Sequence, residues 1–456
     1  MKQYWPLIII ITLFLLLKLS SLGIRMSDTN IYFYTAYQML QGKVLYKDIF
    51  FTNFPLLPYV SVCYYFFFGK SLTAYFFTSC LEASAVAGIL YYLAINKTKS
   101  LLIATLTAMV YLFSFIVLST SDHQTGVFLA SLFALLSYFF FEKKHYVLTG
   151  CFVALALLTK AYFLPILASY GVFLLIRQRK TFLPFCLGLI VTSGIILLPI
   201  LIFARNDFFK DVFLYSLTRS QGLSKTNILW FFATHDILFF VMFMTALTQI
   251  KKQLFFALFC FFSLAFIIFY QDIYFLYLNF TIPFLCLFFA FFYHDSLTKL
   301  QIQKMVIPSL IVLLLVYNLF TYLTGFRNIQ TFTQLDTMVT KIKEINPPAL
   351  YGTNDTTPAL SYLTGIPLLN GIVDTNENIF RKGYLNNKTL TKDALSQHAL
   401  FVGHGVYYPE ENLNQPLINE IFDLTQMQGK CKIEGSYPIV SEGMTNRITL
   451  VACGRN

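Results

Sequence analysis

Apolar runs of about 20 residues recur along most of this chain. Brief polar breaks carrying lysine or arginine separate them. A run of that length is what an α-helix needs to cross the hydrocarbon core of a bilayer. A soluble domain has no way to bury so much apolar surface. The chain is 57% hydrophobic and only 12% charged, whereas soluble domains are about a quarter charged. A polytopic α-helical membrane protein is therefore expected. The first run, 6–21, follows a short positive start and has no small-residue cleavage site. It reads as a retained helix rather than a removed signal peptide, with Lys18 snorkelling from its outer end.

Orientation follows from the short loops. Lys97/Lys99, Lys143/Lys144, Arg177/Arg179/Lys180, Lys251/Lys252 and Lys299/Lys304 all sit in such breaks, and the positive-inside rule assigns them to the cytoplasm. Residues 72–94 then run inward, 101–118 outward and 126–141 inward. The segment 55–68 is short and reads as a juxtamembrane or re-entrant helix. The segment 146–176 has basic flanks at both ends and reads as a hairpin turning near Lys160. Further spans are expected at 182–203, in a helix ending at Ile250, and at 254–269, 273–293 and 305–324. The total is about eleven transmembrane helices, with the N-terminus cytoplasmic and the tail outside. The loop 205–227 lies on the outer face, and Trp230 marks an interfacial stretch at 228–233.

Residues 326–456 change character. From Gly325 onward there are 11 Lys+Arg and 12 Asp+Glu, so 22 of the 33 basic residues and 10 of the 22 acidic ones lie before it. The excess cation belongs to membrane loops, where it meets lipid headgroups or anionic lipid-linked substrates; nothing suggests nucleic acid. We divide the chain into a transmembrane domain, 1–325, and a small extracytoplasmic α/β domain, 326–456. The latter has strands expected at 349–351, 399–402, 431–434 and 448–451, and helices at 333–345 and 415–427. Cys431 and Cys453 can pair if the tail is extracytoplasmic. The six other cysteines lie in apolar runs as small hydrophobes without metal-ligand spacing.

The stretch 27–59 carries the first candidate chemistry. Acids mapping to the outer face are Asp28, Asp48, Asp122, Asp207, Asp211 and Asp272. A carboxylate at a helix end beside hydrocarbon is poorly solvated, which moves it toward the range of a general base. Cations facing it, Lys47, Lys160 and Arg219, suit a phosphate. Lys160 interrupts some thirty apolar residues, and such a residue defaults to function. Plainer readings stand beside these. Asp28 is also a good cap for a juxtamembrane helix, Asp122 also reads as a solvated turn, and Asp236 reads as the cap of the helix after it. Glu82 is intramembrane, with a Lys or Ser as its expected partner and no assigned role. His123 beside Asp122 lacks the second His or Cys of a metal site.

The series Asp28-Thr29-Asn30-Ile31-Tyr32, Ala36, Gly42, Tyr46-Lys47-Asp48 and Pro55-Leu56-Leu57-Pro58-Tyr59 resembles the first outer loop of GT-C glycosyltransferases. The nearest branch is bacterial, akin to protein mannosyltransferases, lipid A aminoarabinose transferases and Rgt-like transferases. Ser121-Asp122 is similar to that family's second acidic loop, Leu158-Thr159-Lys160 with Pro165 to its hairpin, and 270–283 to its late aromatic helix. The resemblance implies GT-C architecture and a polyprenyl-phosphate-linked sugar donor. It also implies a lipid, glycan or protein acceptor at the outer face of a bacterial inner membrane, and inversion at the anomeric carbon. Asp28 would be the catalytic base. Asp122, Lys160, Arg219, Lys47 and Asp48 would bind substrate. The chain has Asp-Thr where the mannosyltransferases have Asp-Glu, and it lacks the Asp-X-Asp of metal-dependent oligosaccharyltransferases. No metal or cofactor is expected. A lipid or glycan transporter or flippase, another polytopic glycan polymerase or ligase, and a non-catalytic scaffold remain as alternatives; no internal repeat supports the transporter.

Overall fold

In hydrocarbon every backbone group must find its partner within its own segment, so apolar sequence becomes helix. The computed structural model describes residues 2–218, 222–297, 303–406, 421–440 and 446–454. Helices α1 (Trp5–Leu19), α2 (Thr29–Leu40), α3 (Leu56–Phe68), α4 (Leu72–Thr98), α5 (Leu101–Leu112), α6 (Phe115–Thr120), α7 (Val127–Glu142), α8 (Tyr146–Thr159), α9 (Leu164–Arg177) and α10 (Arg179–Phe203) are followed by short turns. Then come Lys225–His235, Ile237–Thr248, Leu254–Phe269, Ile282–Phe292 and Gln303–Thr321. Among the described residues, three helices are long and apolar enough to cross a bilayer: α4, α10 and Val306–Phe326. The pair Lys225–His235 and Ile237–Thr248, bent by 111°, counts as a fourth if taken as one span. Eight shorter apolar helices are found among the described residues.

Close packing sets the geometry where small residues allow it. A Cβ on Gly150 of α8 would fall 2.0 Å from the Phe185 carbonyl, and one on Gly188 of α10 would fall 2.0 Å from the Val147 carbonyl. The two backbones therefore touch at these glycines, the usual device of helix pairs in lipid. The expected hairpin at 146–176 breaks at Lys160, which is extended (φ −147°, ψ 118°). A short 3-10 turn follows, and Pro165 sits in the first turn of α9, a position where its missing N–H costs nothing.

Four expectations are corrected. The run 101–118 is two helices, not one. Asp236 accepts hydrogen bonds from the backbone N–H of Phe115 (2.9 Å) and Ile116 (2.8 Å). It makes no capping bond to the helix it precedes. It therefore caps α6, an element distant in sequence, and satisfies donors that helix ends leave orphaned. Lys18 does not snorkel. It is fully buried and ion-paired to Asp122 at 3.2 Å, and it donates to the Leu118 carbonyl (2.7 Å) and the Tyr322 hydroxyl (2.9 Å). Glu82 pairs with no lysine; it accepts from Tyr64 (2.5 Å) and Gln124 (2.6 Å).

The tail is an α/β unit. Strands β1 (Leu350–Gly352), β2 (Leu400–Val406), β3 (Cys431–Ile439) and β4 (Asn446–Cys453) form one sheet in the order β1-β2-β4-β3. The β1–β2 pair is parallel and the others are antiparallel. Cys431 and Cys453 face each other across β3 and β4 and form a disulfide. The helix Leu335–Ile345 matches the expected 333–345, while Thr357–Thr364 and Asn387–Ser396 were not anticipated. Of the helix expected at 415–427, Leu424–Met427 is present and the earlier part lies outside the described residues.

Helix α2 is packed between the two parts. Ile31, Tyr34 and Ala36 share a buried cluster with Met338, Leu350, Leu360 and Leu450. Arg25 fixes the approach to α2: its guanidinium is 2.6 Å from Asp122 and donates to the Arg327 carbonyl at 2.6 Å. Asp122→Asn would leave two buried cations facing a neutral amide. Breaking a buried pair in this way costs about 3–5 kcal/mol. Thermal unfolding of the detergent-solubilised variant should show a clear drop in midpoint; a midpoint equal to the parent's would mean the ion pair does not hold the fold.

Candidate active site

A cavity of about 520 Å³ opens where α2, the break after α8 and the C-terminal domain meet. Several stretches far apart in sequence line it, that of Val212, Tyr215 and Ser216 among them. Helix α2 contributes Asp28, Ile31 and Tyr32, spaced i, i+3, i+4 and hence on one face. The following loop contributes Thr52, Asn53 and Phe54. The α8–α9 break contributes Thr159 to Tyr162, and the segment 270–277 contributes Tyr270, Asp272, Tyr274 and Tyr277. The C-terminal domain contributes Asn354, Asp374, Asn376 and Asn378.

Asp28 occupies the N-cap position of α2, yet its side chain makes no capping hydrogen bond. The Ser27 hydroxyl accepts from the Thr29 N–H instead (3.3 Å). The Asp28 carboxylate is exposed and lines the cavity. Asn30 anchors this turn by donating to the Arg25 carbonyl (2.8 Å) and the Asp355 carbonyl (2.5 Å). Lys160 is only 5% exposed. Its ammonium donates to the Tyr32 hydroxyl at 2.6 Å and lies 4.6 Å from that ring's centroid. A cation over a tyrosine face is held electrostatically. Behind it Tyr162 and Tyr277 stack at 4.3 Å, and Phe266 and Tyr270 at 4.9 Å, forming an aromatic wall.

The C-terminal domain supplies a polar shelf organised by Asp374. Its carboxylate accepts from Thr52 Oγ1 (3.2 Å), Asn354 Nδ2 (3.2 Å) and the Asn376 N–H (3.1 Å). Nearby, Asp211 accepts from the Phe51 N–H at 3.4 Å. Burial pushes its carboxyl up to about 7, with the Phe51 bond and Lys210 opposing.

The positions expected from sequence separate into groups. Asp28 and Lys160 line the same cavity. Asp122 is not among the lining residues. It is 1% exposed, enclosed by Lys18, Arg25 and His123, because a buried carboxylate persists only where cations surround it. Lys47 and Asp48 sit on an exposed loop outside the lining, and Asp48 closes that loop by accepting from the Val44 N–H (2.8 Å). Arg219 lies outside the described residues. Sequence reasoning missed Tyr32, Asp374 and the asparagines, and it gave Asp272 no role. The available signal was the Asn/Asp density at 354–355 and 374–378, which reads equally well as turns. Among the described residues, no group of three or more His, Cys, Asp or Glu side chains is placed to hold a metal ion.

The chain shares its fold with solved structures of membrane glycosyltransferases, and three of its described helices are long and apolar enough to cross a bilayer. No family model matches the sequence, and no curated protein matches it. Among solved structures, ArnT from Cupriavidus metallidurans bound to undecaprenyl phosphate is similar over 97% of both chains, with a TM-score of 0.65 and 14% identity. The oligosaccharyltransferase of Archaeoglobus fulgidus, tethered to an acceptor peptide containing the NVT sequon, is similar over 88% of this chain and 69% of its own. Its TM-score is 0.51 at 13% identity. At such identities the likeness is one of fold.

Asp211 makes stability pH-dependent. With its pKa raised, the folded state holds a proton that the unfolded chain releases between about pH 4 and pH 7, so stability falls as pH rises through that window. Asp211→Asn should flatten this dependence, and its unfolding midpoint should gain on the parent's between pH 5 and pH 8. A constant difference across that range would count against the buried, protonated carboxyl.

Proposed function

We propose that this chain is an integral-membrane glycosyltransferase that moves a sugar from a polyprenyl-phosphate donor to an acceptor hydroxyl on the outer face of the membrane. Its N-terminus is cytoplasmic, about eleven helices span the bilayer, and residues 326–456 form the extracytoplasmic domain. The observation that carries this reading is that Asp28 and Lys160, distant in sequence, line one cavity beside an aromatic wall. The fold supports it, since ArnT of the same architecture was captured with undecaprenyl phosphate.

The chemistry follows from the side chains. Asp28 takes the acceptor's proton as its oxygen attacks the anomeric carbon. The bond from that carbon to the phosphate oxygen breaks on the opposite face, which inverts the configuration. The Lys160 ammonium takes up the charge of the departing polyprenyl phosphate. The aromatic wall fits the sugar and the first isoprene units, and the shelf at Asp374 offers amide groups to sugar hydroxyls. Asp122 acts at one remove, by holding Arg25 and with it the start of α2.

Asp28→Asn should lower kcat by about 10²–10⁴-fold, the usual contribution of a general base, with folded protein undiminished. Lys160→Ala should raise KM for the donor at least about tenfold, as loss of a charge-assisted contact does. The readout is mass spectrometry of polyprenyl-linked sugars and surface glycans in cells with parent, variant or no protein. Full transfer by Asp28→Asn would remove the base assignment. Substrate carried unchanged across proteoliposomes would point to a transporter.

A further inference from the structure

Helix α2 has a second working face. Tyr34, Tyr37, Gln38 and Gln41 follow the spacing i, i+3, i+4, i+7 and form one stripe. They line a separate cleft of about 250 Å³ that Ser361 and Tyr362 of the C-terminal domain close from the other side. Among the described residues no carboxylate lines this cleft, in contrast to the main cavity with Asp28, Asp272 and Asp374.

We propose that this cleft is a binding site for an uncharged sugar unit of a glycan chain. Its size is below the usual range for drug-sized ligands, about 300–1,000 Å³, and suits a single ring. Three tyrosines provide rigid amphipathic surface: Tyr37 meets Tyr362 edge-on at 5.2 Å, and Tyr34 lies 5.7 Å from Tyr37. Such rings give contact area at low entropic cost; the Tyr34 hydroxyl accepts from Ser361 Oγ (2.9 Å) and that of Tyr362 donates to the Lys70 carbonyl. Gln38 is 5% exposed, and its side-chain oxygen is buried without a hydrogen-bond partner. A rotation of the amide offers that oxygen to a sugar hydroxyl. Gln41, at the exposed end of the stripe, supplies a second amide.

Electrostatics argue against an anion. Helix α2 ends at this cleft with Gln41 as its C-cap, and Thr357–Thr364 ends there at Gly365. Two helix C-termini thus lie at the cleft, and the negative end of a helix dipole favours hydroxyl donors over phosphate or carboxylate. Among the described residues the single charged lining group is Lys43, at the exposed rim against Gly371. One ammonium at a rim falls short of the multiple charge-assisted contacts that hold a phosphate.

The inference goes beyond the transfer reading and does not depend on it. The test is saturation-transfer NMR on the full chain in lipid nanodiscs, with maltotriose, chitotriose and mannotriose as probes. At least one should bind saturably. Gln41→Ala, at an exposed position, should weaken that binding about tenfold, and Tyr37→Ala should abolish it. Asp28→Asn should leave binding intact while transfer is lost, which separates the two readings. Inorganic phosphate should not compete, and Lys43→Ala should have little effect. Binding of none of the three probes would overturn the proposal. So would binding that survives both Gln41→Ala and Tyr37→Ala but disappears in Lys160→Ala, which would put the sugar in the main cavity. Competition by phosphate together with loss in Lys43→Ala would make the cleft an anion site and overturn it equally.

Discussion

One buried anion holds the architecture together. Asp122 lies between Lys18 at the end of α1 and Arg25 just before α2. Each cation also donates elsewhere: Lys18 to the Leu118 carbonyl and the Tyr322 hydroxyl, Arg25 to the Arg327 and Ile329 carbonyls. Carbonyl partners matter here, because a buried cation costs several kcal/mol unless its hydrogen bonds are filled. The result is a joint between the first helix, the loop after α6, the segment that starts α2, and the chain entering the C-terminal domain. The Ile24 carbonyl accepting from Phe332 and the Met26 N–H donating to Gln330 continue that joint as paired backbone. The position of Asp28 is a consequence of this joint.

From there the candidate site is a matter of convergence. The Asp28 turn is fixed by Asn30, the loop 51–54 by Asp211 and Asp374, and Lys160 by Tyr32. Each lining group is thus oriented by a contact from a different stretch of chain. Preorganisation of this kind lets a site stabilise developing charge without reorganising.

The strongest features were legible because membranes penalise exceptions. A lysine inside thirty apolar residues and an acid just past the first apolar run stand out, and both line the cavity. The break at Lys160 and the helix at 335–345 were readable for the same reason: apolar periodicity and its interruptions carry much of the secondary-structure signal. What could not be read was pairing at a distance. The run from Ser119 to Gln124 looks the same whether Asp122 is solvated or enclosed, and only Lys18 and Arg25 decide it. Asp236 likewise looks like a cap for its own helix, and nothing local reveals that it serves α6. The shelf at Asp374 was hidden because asparagine and aspartate clusters are the ordinary vocabulary of turns.

The contribution of Asn354, Asp374, Asn376 and Asn378 to the cavity has a consequence for biogenesis. These residues follow every described apolar helix in the chain, so the pocket stays open on one side until the last quarter of the polypeptide has been made and folded. A nascent or prematurely ended chain would carry the carboxylate and the ammonium but not the wall opposite them. Formation of the complete pocket is thereby deferred until this part of the chain has been made.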